Sequence, residues 1–189
     1  MRIVRKLDAG PIADVERVAI TAHDTALEIE GKLSAACVPL LARTLPKLID
    51  GSLVFEPQDD PQATFCRRLV KDDGRIDFQE SAAAIAARVN GLFPWPACSV
   101  EINGQPVKLG LAETADVSFD GDAGAVVGAD ADGLLVKAGE GVVRLRKLQR
   151  PGGKMLPASE FLRGFPIVAG TVLPSQPLTP LVAAQPFKH

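Results

Sequence analysis

Short apolar runs separated by turn residues open the chain. Ile3–Leu7 and Val15–Ile20 are two such runs, and Gly10-Pro11 between them favours a turn. The pattern therefore predicts two strands in this segment. Two short strands and the single helix that follows cannot enclose a hydrophobic core, so residues 1–50 are predicted to be a part, or remnant, of an α/β domain.

A helical repeat of apolar residues follows the two runs. Apolar side chains recur every three or four positions from Leu27 to Leu48, which predicts one long helix. Either Thr21 or Asp24 is a suitable residue to cap its start. Pro39 interrupts the repeat, and we expect the helix to kink or split there because proline removes a hydrogen bond and clashes with the preceding turn.

The next segments are a linker and two short helices. Residues 51–66 contain two prolines and several acids and predict an extended linker. The alanine-rich stretch Ser81–Val89 predicts a helix that Gly91 and Pro94 bring to an end. A second brief helix is predicted at Ser159–Arg163.

Five short strand patterns lie between these helices, and Asn103-Gly104 is a strong hairpin signal between the first two. Together they predict an OB-like antiparallel β-barrel over residues 67–170, followed by a loose proline-rich tail at 171–189. The fold class is therefore α+β: a partial α/β domain followed by the barrel. The strand patterns occupy 97–102, 106–112, 125–129, 134–137 and 142–148.

Composition excludes several classes of protein. The 189 residues carry a net charge of −2, which excludes a globally basic nucleic-acid binder but leaves a local basic face open. Cys37, Cys66 and Cys98 are odd in number and widely spaced, so they predict no disulfide framework. The sequence shows no export signal and no apolar run long enough to span a membrane. We therefore expect a cytoplasmic protein.

Charge is distributed unevenly along the second half of the chain. Residues 110–140 contain seven acids and one base, whereas residues 141–165 contain six bases and one acid. Strand periodicity places Arg144 and Arg146 on one face of a strand, with Val143 and Leu145 opposite. We define the basic stripe as the cationic residues of this strand and of the loop after it: Arg144, Arg146, Lys147, Arg150 and Lys154.

The basic stripe has two interpretations. It predicts a site for nucleic-acid phosphates, or it is a solvated strand face that balances the acidic strands nearby. A second basic cluster, Arg67, Arg68 and Lys71, lies where the linker enters the barrel, and neighbouring aspartates dilute its charge. Both clusters are candidate binding residues.

Candidate catalytic groups are scarce. Histidine occurs only as His23, for which capping or simple exposure is expected, and as His189. We find no nucleophile next to a base at a known spacing, no metal-ligand motif and no phosphate-binding glycine loop. The residues by themselves predict neither a catalytic nor a metal site.

Several motifs resemble the bacterial methionyl-tRNA formyltransferase family, and together they cover nearly the whole chain. The resemblance implies a formyltransferase domain, a linker and an OB-like domain. It also implies transfer of a formyl group from 10-formyltetrahydrofolate to methionyl initiator tRNA, with the basic stripe holding the tRNA backbone. The motifs are Ala63–Phe65, Gly74–Phe78, Pro94–Pro96, Gly104–Lys108, Leu148–Lys154 and Ser159–Gly164.

Structural roles are expected for two of these motifs. Trp95, between two prolines, is expected to plug the end of the barrel with its apolar area, and we do not expect it to contact a ligand. Ile76 and Phe78 are expected to dock into the core while Asp77 between them caps the following helix.

The resemblance also shows differences. The family's catalytic asparagine, histidine and aspartate correspond to positions upstream of the matched segment, so no residue here inherits them. This chain alone is expected to be inactive and to bind no folate. Four residues are missing after Gly10, and Asn90 stands where the family usually has arginine.

Four interpretations of function stay open. The chain is a tRNA-binding part of such an enzyme; or a subunit that needs a protein partner, docked or self-associated through residues 1–20; or a relative that formylates sugar nucleotides; or an inactive remnant.

Overall fold

The structure is a computed structural model that describes residues 1–58 and 60–187, so His189 lies outside the described residues. The chain divides into two compact units. The first unit consists of Met1–Ile20, Glu28–Arg67 and Val182–His189; the second consists of Thr21–Leu27 and Arg68–Leu181.

A long helix, α1 (Ala26–Ile49), is the main element of the first unit. The predicted helix is therefore confirmed, but Pro39 does not split it, and Pro46 also lies inside it. A single proline removes only one donor, and the remaining hydrogen bonds of a 24-residue helix keep it continuous. In the part of the chain that the structure describes, no helix is both long enough and apolar enough to cross a membrane.

The prediction of two strands before α1 is wrong. Residues 1–20 contain no strand and only one isolated bridge, in which Ile12 exchanges two backbone hydrogen bonds with Glu56 at 2.8 and 2.9 Å. Ile3 is 92% exposed. An apolar run becomes a strand only where a neighbouring backbone pairs with it, and the described part of this unit offers no such neighbour. Among the described residues of the unit, the only strand pair is short, β1 (Phe65–Cys66) with β8 (Val182–Ala183).

An antiparallel sheet forms the second unit, and all five predicted strands are present. The spatial order is β2-β3-β6-β5-β4, with β7 paired to β6. Asn103 and Gly104 form the predicted tight turn, and their φ angles of 50° and 73° are those of a type I′ hairpin. The strands are β2 (Cys98–Ile102), β3 (Gln105–Ala115), β4 (Val126–Ala129), β5 (Leu134–Lys137), β6 (Val142–Gln149) and β7 (Leu156–Pro157).

The sheet is open, so the predicted closed barrel is not confirmed. The strands β2 and β4 form its two ends and do not pair with each other within the described residues. A helix, α2 (Ala82–Gly91), packs instead against β3 and β6 and buries Ile85 and Val89. Because this helix covers the apolar face, the core is enclosed without closure of the sheet. A second predicted helix is confirmed as α3 (Ala158–Gly164).

The motif residues around α2 depart from two expectations. Ile76 and Phe78 are buried as expected, but Ser81 caps α2, with its hydroxyl accepting a hydrogen bond from the Ala84 N–H at 3.2 Å. The Asp77 carboxylate caps only the local turn before the helix. Trp95 is 60% exposed and does not plug the sheet, because smaller apolar side chains and phenylalanines already fill the core.

The start of the proline-rich tail is fixed to the second unit. Leu173 is buried, and its N–H donates to the Gly124 carbonyl at 2.8 Å. The Gln176 N–H donates to the Ile76 carbonyl at 2.8 Å. The expected looseness is therefore not what the described part of the tail shows, because residues between the prolines still have donors to anchor it.

Candidate nucleic-acid interface

Strand β6 presents its charged residues as the periodicity predicts. Val143 and Leu145 are fully buried, and Arg144 and Arg146 lie on the opposite face. In the sheet register Arg144 stands opposite Glu113 of β3. The sequence therefore correctly predicts which side chains of this strand point away from the core.

Both arginines already form ion pairs with carboxylates. Arg144 forms ion pairs with Glu113 at 2.8 Å and Asp130 at 2.6 Å. Arg146 forms ion pairs with Glu113 at 2.9 Å and Asp132 at 3.2 Å. Only 17% of the Arg144 side chain and 29% of the Arg146 side chain are exposed. We call these five residues the arginine–carboxylate network; it matches the charge-balancing interpretation, and a phosphate contact by either arginine stays a prediction.

The network strongly favours the ionised carboxylates. Burial raises the pKa of Glu113, but hydrogen bonds with His23, Arg144 and Arg146 outweigh it and bring that pKa to about 2. The hydrogen bonds from Arg144 also lower the pKa of Asp130, and the Asp130 and Glu113 carboxylates raise the pKa of Arg144. His23 is exposed as expected, but its contact with Glu113 was not predicted, because the two residues lie 90 positions apart.

The other three residues of the basic stripe have no carboxylate partner among the described residues. Lys147, Arg150 and Lys154 are exposed, and no described residue forms an ion pair with any of them. These three cations can therefore accept an external anion without first losing an internal partner.

The loop that carries Arg150 is held in place at its base. Gln149 donates a side-chain hydrogen bond to the Gly153 carbonyl at 2.6 Å, and the Gly153 N–H donates to the Arg150 carbonyl at 3.0 Å. The Arg150 guanidinium lies 6.0 Å from the centre of the Phe165 ring. Gly152 has a φ of 70°, a conformation that favours glycine.

A groove runs along β2 and the first part of β3. One cavity of about 430 Å³ and another of about 250 Å³ share Ser99, Pro106 and Lys108 in their walls, so the two adjoin. We call the combined depression the β2–β3 groove. Four cations and two acids line it: Lys71, Arg75, Lys108, Arg150, Asp72 and Glu101.

One wall of the groove depends on a close backbone contact. Lys71–Gly74 form a 3-10 turn, and a Cβ on Gly74 would lie 2.2 Å from the Ala97 carbonyl oxygen. The Arg88 guanidinium holds this turn in place by donating hydrogen bonds to the Asp73 carbonyl at 2.7 Å and to the Arg75 carbonyl at 2.9 Å. These contacts set the distance between the cationic turn and the start of β2.

The second predicted basic cluster is only partly in the groove. Lys71 lines it, while Arg67 belongs to the first unit and Arg68 makes other contacts. The sequence analysis did not include Lys108 among the candidate binding residues. Its exposed position on β3 was predictable, because it lies between the buried residues Val107 and Leu109. Among the residues described, no group of three or more histidine, cysteine or acidic side chains could hold a metal ion.

Comparison with known proteins identifies relatives that match most of the chain. Residues 68–166, slightly more than half of the chain, match the family described as formyl transferase, C-terminal domain. A methionyl-tRNA formyltransferase of Brucella anthropi is 40% identical over 166 residues, covering 87% of this chain and 53% of the relative. One of Ralstonia nicotianae is 36% identical over 172 residues, with 90% and 53% covered. The chain spans about half the length of the curated relatives it matches.

Solved structures share the fold at lower identity. HypX from Aquifex aeolicus is 16% identical with a TM-score of 0.64, covering 86% of this chain and 29% of HypX. WlaRD, a sugar 3N-formyl transferase, is 18% identical with a TM-score of 0.61, covering 79% of this chain and 52% of WlaRD. At these identities the likeness concerns the fold alone.

Proposed function

The chain belongs to the methionyl-tRNA formyltransferase family, and we propose that its second unit binds tRNA through the β2–β3 groove and the loop beside it. The observation that carries the proposal is the position of Lys71, Lys108 and Arg150 along one groove, none of them with a carboxylate partner among the described residues. Lys147 and Lys154 are exposed as well, and we include them in the proposed contact.

Electrostatics supports the groove over the arginine–carboxylate network as the main contact. A phosphate that approaches Arg144 competes with two carboxylates already at hydrogen-bond distance. A phosphate that approaches Lys108 displaces only water and counterions, and counterion release is what drives binding to a nucleic-acid backbone. Backbone contacts of this kind position a nucleic acid without reading its sequence.

The binding experiment uses labelled methionyl initiator tRNA and fluorescence anisotropy over a range of salt concentrations. We expect the affinity to fall steeply as salt rises, and K108A to weaken it more than R144A does. Lys47→Ala, which removes an exposed cation from α1, is the matched control and should bind like the unaltered chain. Binding that does not depend on salt, or a larger loss in a folded R144A variant, would contradict the proposal.

We propose further that these residues hold tRNA and do not carry out formyl transfer. The environment of His23, the histidine that the structure describes, supports this proposal. Its side chain is exposed, and its ring contacts the Glu113 carboxylate. A formylation assay with 10-formyltetrahydrofolate and methionyl initiator tRNA tests this. Formyl-methionyl-tRNA produced by this chain alone would refute it.

A second candidate function is that of a subunit completed by another chain. The helix α1 has no buried residue, although Leu33, Leu41 and Leu48 are among its many apolar side chains. We propose that this face receives the part of a formyltransferase that the relatives carry beyond the half matched here. Co-expression with that part of the Brucella anthropi relative should give a stable complex, and L41D should abolish it. Failure of the two parts to associate would exclude this candidate.

A further inference from the structure

Trp95 is the largest exposed aromatic side chain of the described structure, with 60% of its surface accessible. It lies in the turn between α2 and β2. Single exposed apolar residues are ordinary on protein surfaces, so exposure alone does not indicate a site. The residues that follow Trp95 in the chain line the β2–β3 groove, and this second observation is what suggests a use for the ring.

The turn that presents Trp95 is anchored at both of its ends. The Ala97 N–H donates to the Leu92 carbonyl at 2.9 Å, and both of these residues are buried. The Phe93 N–H donates to the Asn90 carbonyl at 3.3 Å, which ties the turn to the end of α2. A ring held by such a turn has less backbone freedom to lose on binding than one on a mobile loop.

The residues directly after Trp95 form part of the groove wall. Pro96 and Ala97 line the larger cavity together with Lys71 and Lys108. An exposed indole therefore adjoins, along the chain, a surface with excess positive charge. An aromatic ring beside cations is the combination by which proteins hold single-stranded nucleic acid, with bases stacked on the ring and phosphates on the cations.

We propose that Trp95 stacks on an unpaired base of RNA whose phosphates lie in the β2–β3 groove. The inference rests on the proposed function and narrows it to a single-stranded segment. Bases inside a duplex are stacked on each other, whereas those of loops and ends are available to an aromatic side chain. This reverses the sequence-based expectation that Trp95 has a purely structural role.

The chain contains one tryptophan and no tyrosine, so its intrinsic indole fluorescence reports on Trp95 alone. The probe is a short single-stranded oligoribonucleotide, titrated at low salt while anisotropy of a labelled copy is recorded in parallel. We expect saturable quenching of Trp95 with the same midpoint as the anisotropy. A blunt RNA duplex of the same length should bind by charge but leave the indole emission nearly unchanged.

Two variants distinguish stacking from a structural effect. W95L should weaken binding of the oligoribonucleotide about tenfold, and W95F should restore most of it because it keeps a ring. Neither change removes a phosphate contact, so the salt slope should stay the same. Circular dichroism of each variant establishes whether it is folded. If W95L does not fold, the comparison of W95F with the unaltered chain still tests the role of the ring.

The outcomes separate this inference from the proposal on which it rests. Salt-dependent anisotropy with unchanged indole emission and normal W95F and W95L affinity would overturn stacking and leave tRNA binding intact. Absence of any salt-dependent binding would overturn both. Indole emission that responds to the part of a formyltransferase relative outside the matched half, and not to RNA, would identify Trp95 as a protein contact and also overturn the inference.

Discussion

The Arg144 guanidinium and the Glu113 carboxylate meet at 2.8 Å across the neighbouring strands β6 and β3. This pair lies at the centre of the arginine–carboxylate network, since Glu113 also holds Arg146 and His23. The network removes two arginines of the basic stripe, Arg144 and Arg146, from easy contact with phosphate. It also makes Glu113 a residue on which the stability of the sheet depends.

Glu113→Gln should destabilise the second unit in a pH-dependent way. The pKa of Glu113 in the folded chain is about 2, below its ordinary value near 4.5, so its stabilising effect is fully present above about pH 4.5. The effect is lost as pH falls through 2. We expect the variant to lose about 1–3 kcal/mol at pH 7, because the negative charge on the acceptor of these hydrogen bonds is removed.

Urea denaturation at several pH values measures this difference. The difference in the free energy of unfolding between the unaltered chain and the Glu113→Gln variant should shrink as pH falls from about 4.5 towards 2. Glu101→Gln, at an exposed carboxylate on β2, is the matched control and should show little effect. A gap that stays constant over this range would contradict the role assigned to Glu113.

Gly74→Ala should weaken the wall of the groove. The new Cβ would lie 2.2 Å from the Ala97 carbonyl oxygen, so the backbone of the 3-10 turn or of β2 has to move. We expect a loss of about 1–3 kcal/mol in the free energy of unfolding, together with weaker tRNA binding. Gly91→Ala, at the end of α2, is the control, because its added Cβ would meet no atom from outside the helix within 4 Å. Equal stability of the two variants would show that the close contact is unimportant.

Asn90→Ala should destabilise the junction of α2 and β3. The Asn90 side chain is buried, donates to the Ala112 carbonyl at 2.8 Å and accepts from the Ala112 N–H at 2.9 Å. It also donates to the Ala22 carbonyl at 3.0 Å. Leaving these buried groups unsatisfied should cost about 2–3 kcal/mol, measured by urea denaturation. Gln79→Ala, at an exposed position, should change little; a similar loss there would count against the explanation.

Thiol labelling should separate the three cysteines. Burial raises the pKa of the Cys98 thiol to about 12, only partly offset by the charge of Arg88, and the side chain is inaccessible. Cys37 and Cys66 are exposed. We expect two thiols to react with a maleimide in the native protein and the third only in denaturant, as counted by mass spectrometry. Three rapid reactions in buffer would contradict the buried position of Cys98.

Local signals explain what the sequence predicted well. The hairpin at Asn103-Gly104, the strands β2 to β6 and the helix α2 each depend on periodicity or turn chemistry within a few residues. The same argument explains why Val143 and Leu145 were placed correctly in the core.

Non-local contacts explain what the sequence did not predict. Closure of the sheet depends on whether its first and last strands pair, and the strands expected in residues 1–20 depend on a neighbouring backbone. The β2–β3 groove gathers Lys71, Lys108 and Arg150 from three separate stretches, and each looks like an ordinary surface cation by itself. The prediction that Trp95 is buried was wrong, because it relied on the size of the side chain, whereas other residues fill the core.

The salt dependence of tRNA affinity in two triple variants tests the central claim most directly. One variant is K71A/K108A/R150A in the groove, and the other is R5A/R17A/K47A, which removes the same charge from exposed positions of the first unit. If the groove holds the backbone, the groove variant should lose affinity and its slope of log affinity against log salt should fall by about 2–3, while the other variant keeps both. An equal loss in the two variants, or no loss in the groove variant, would contradict the account.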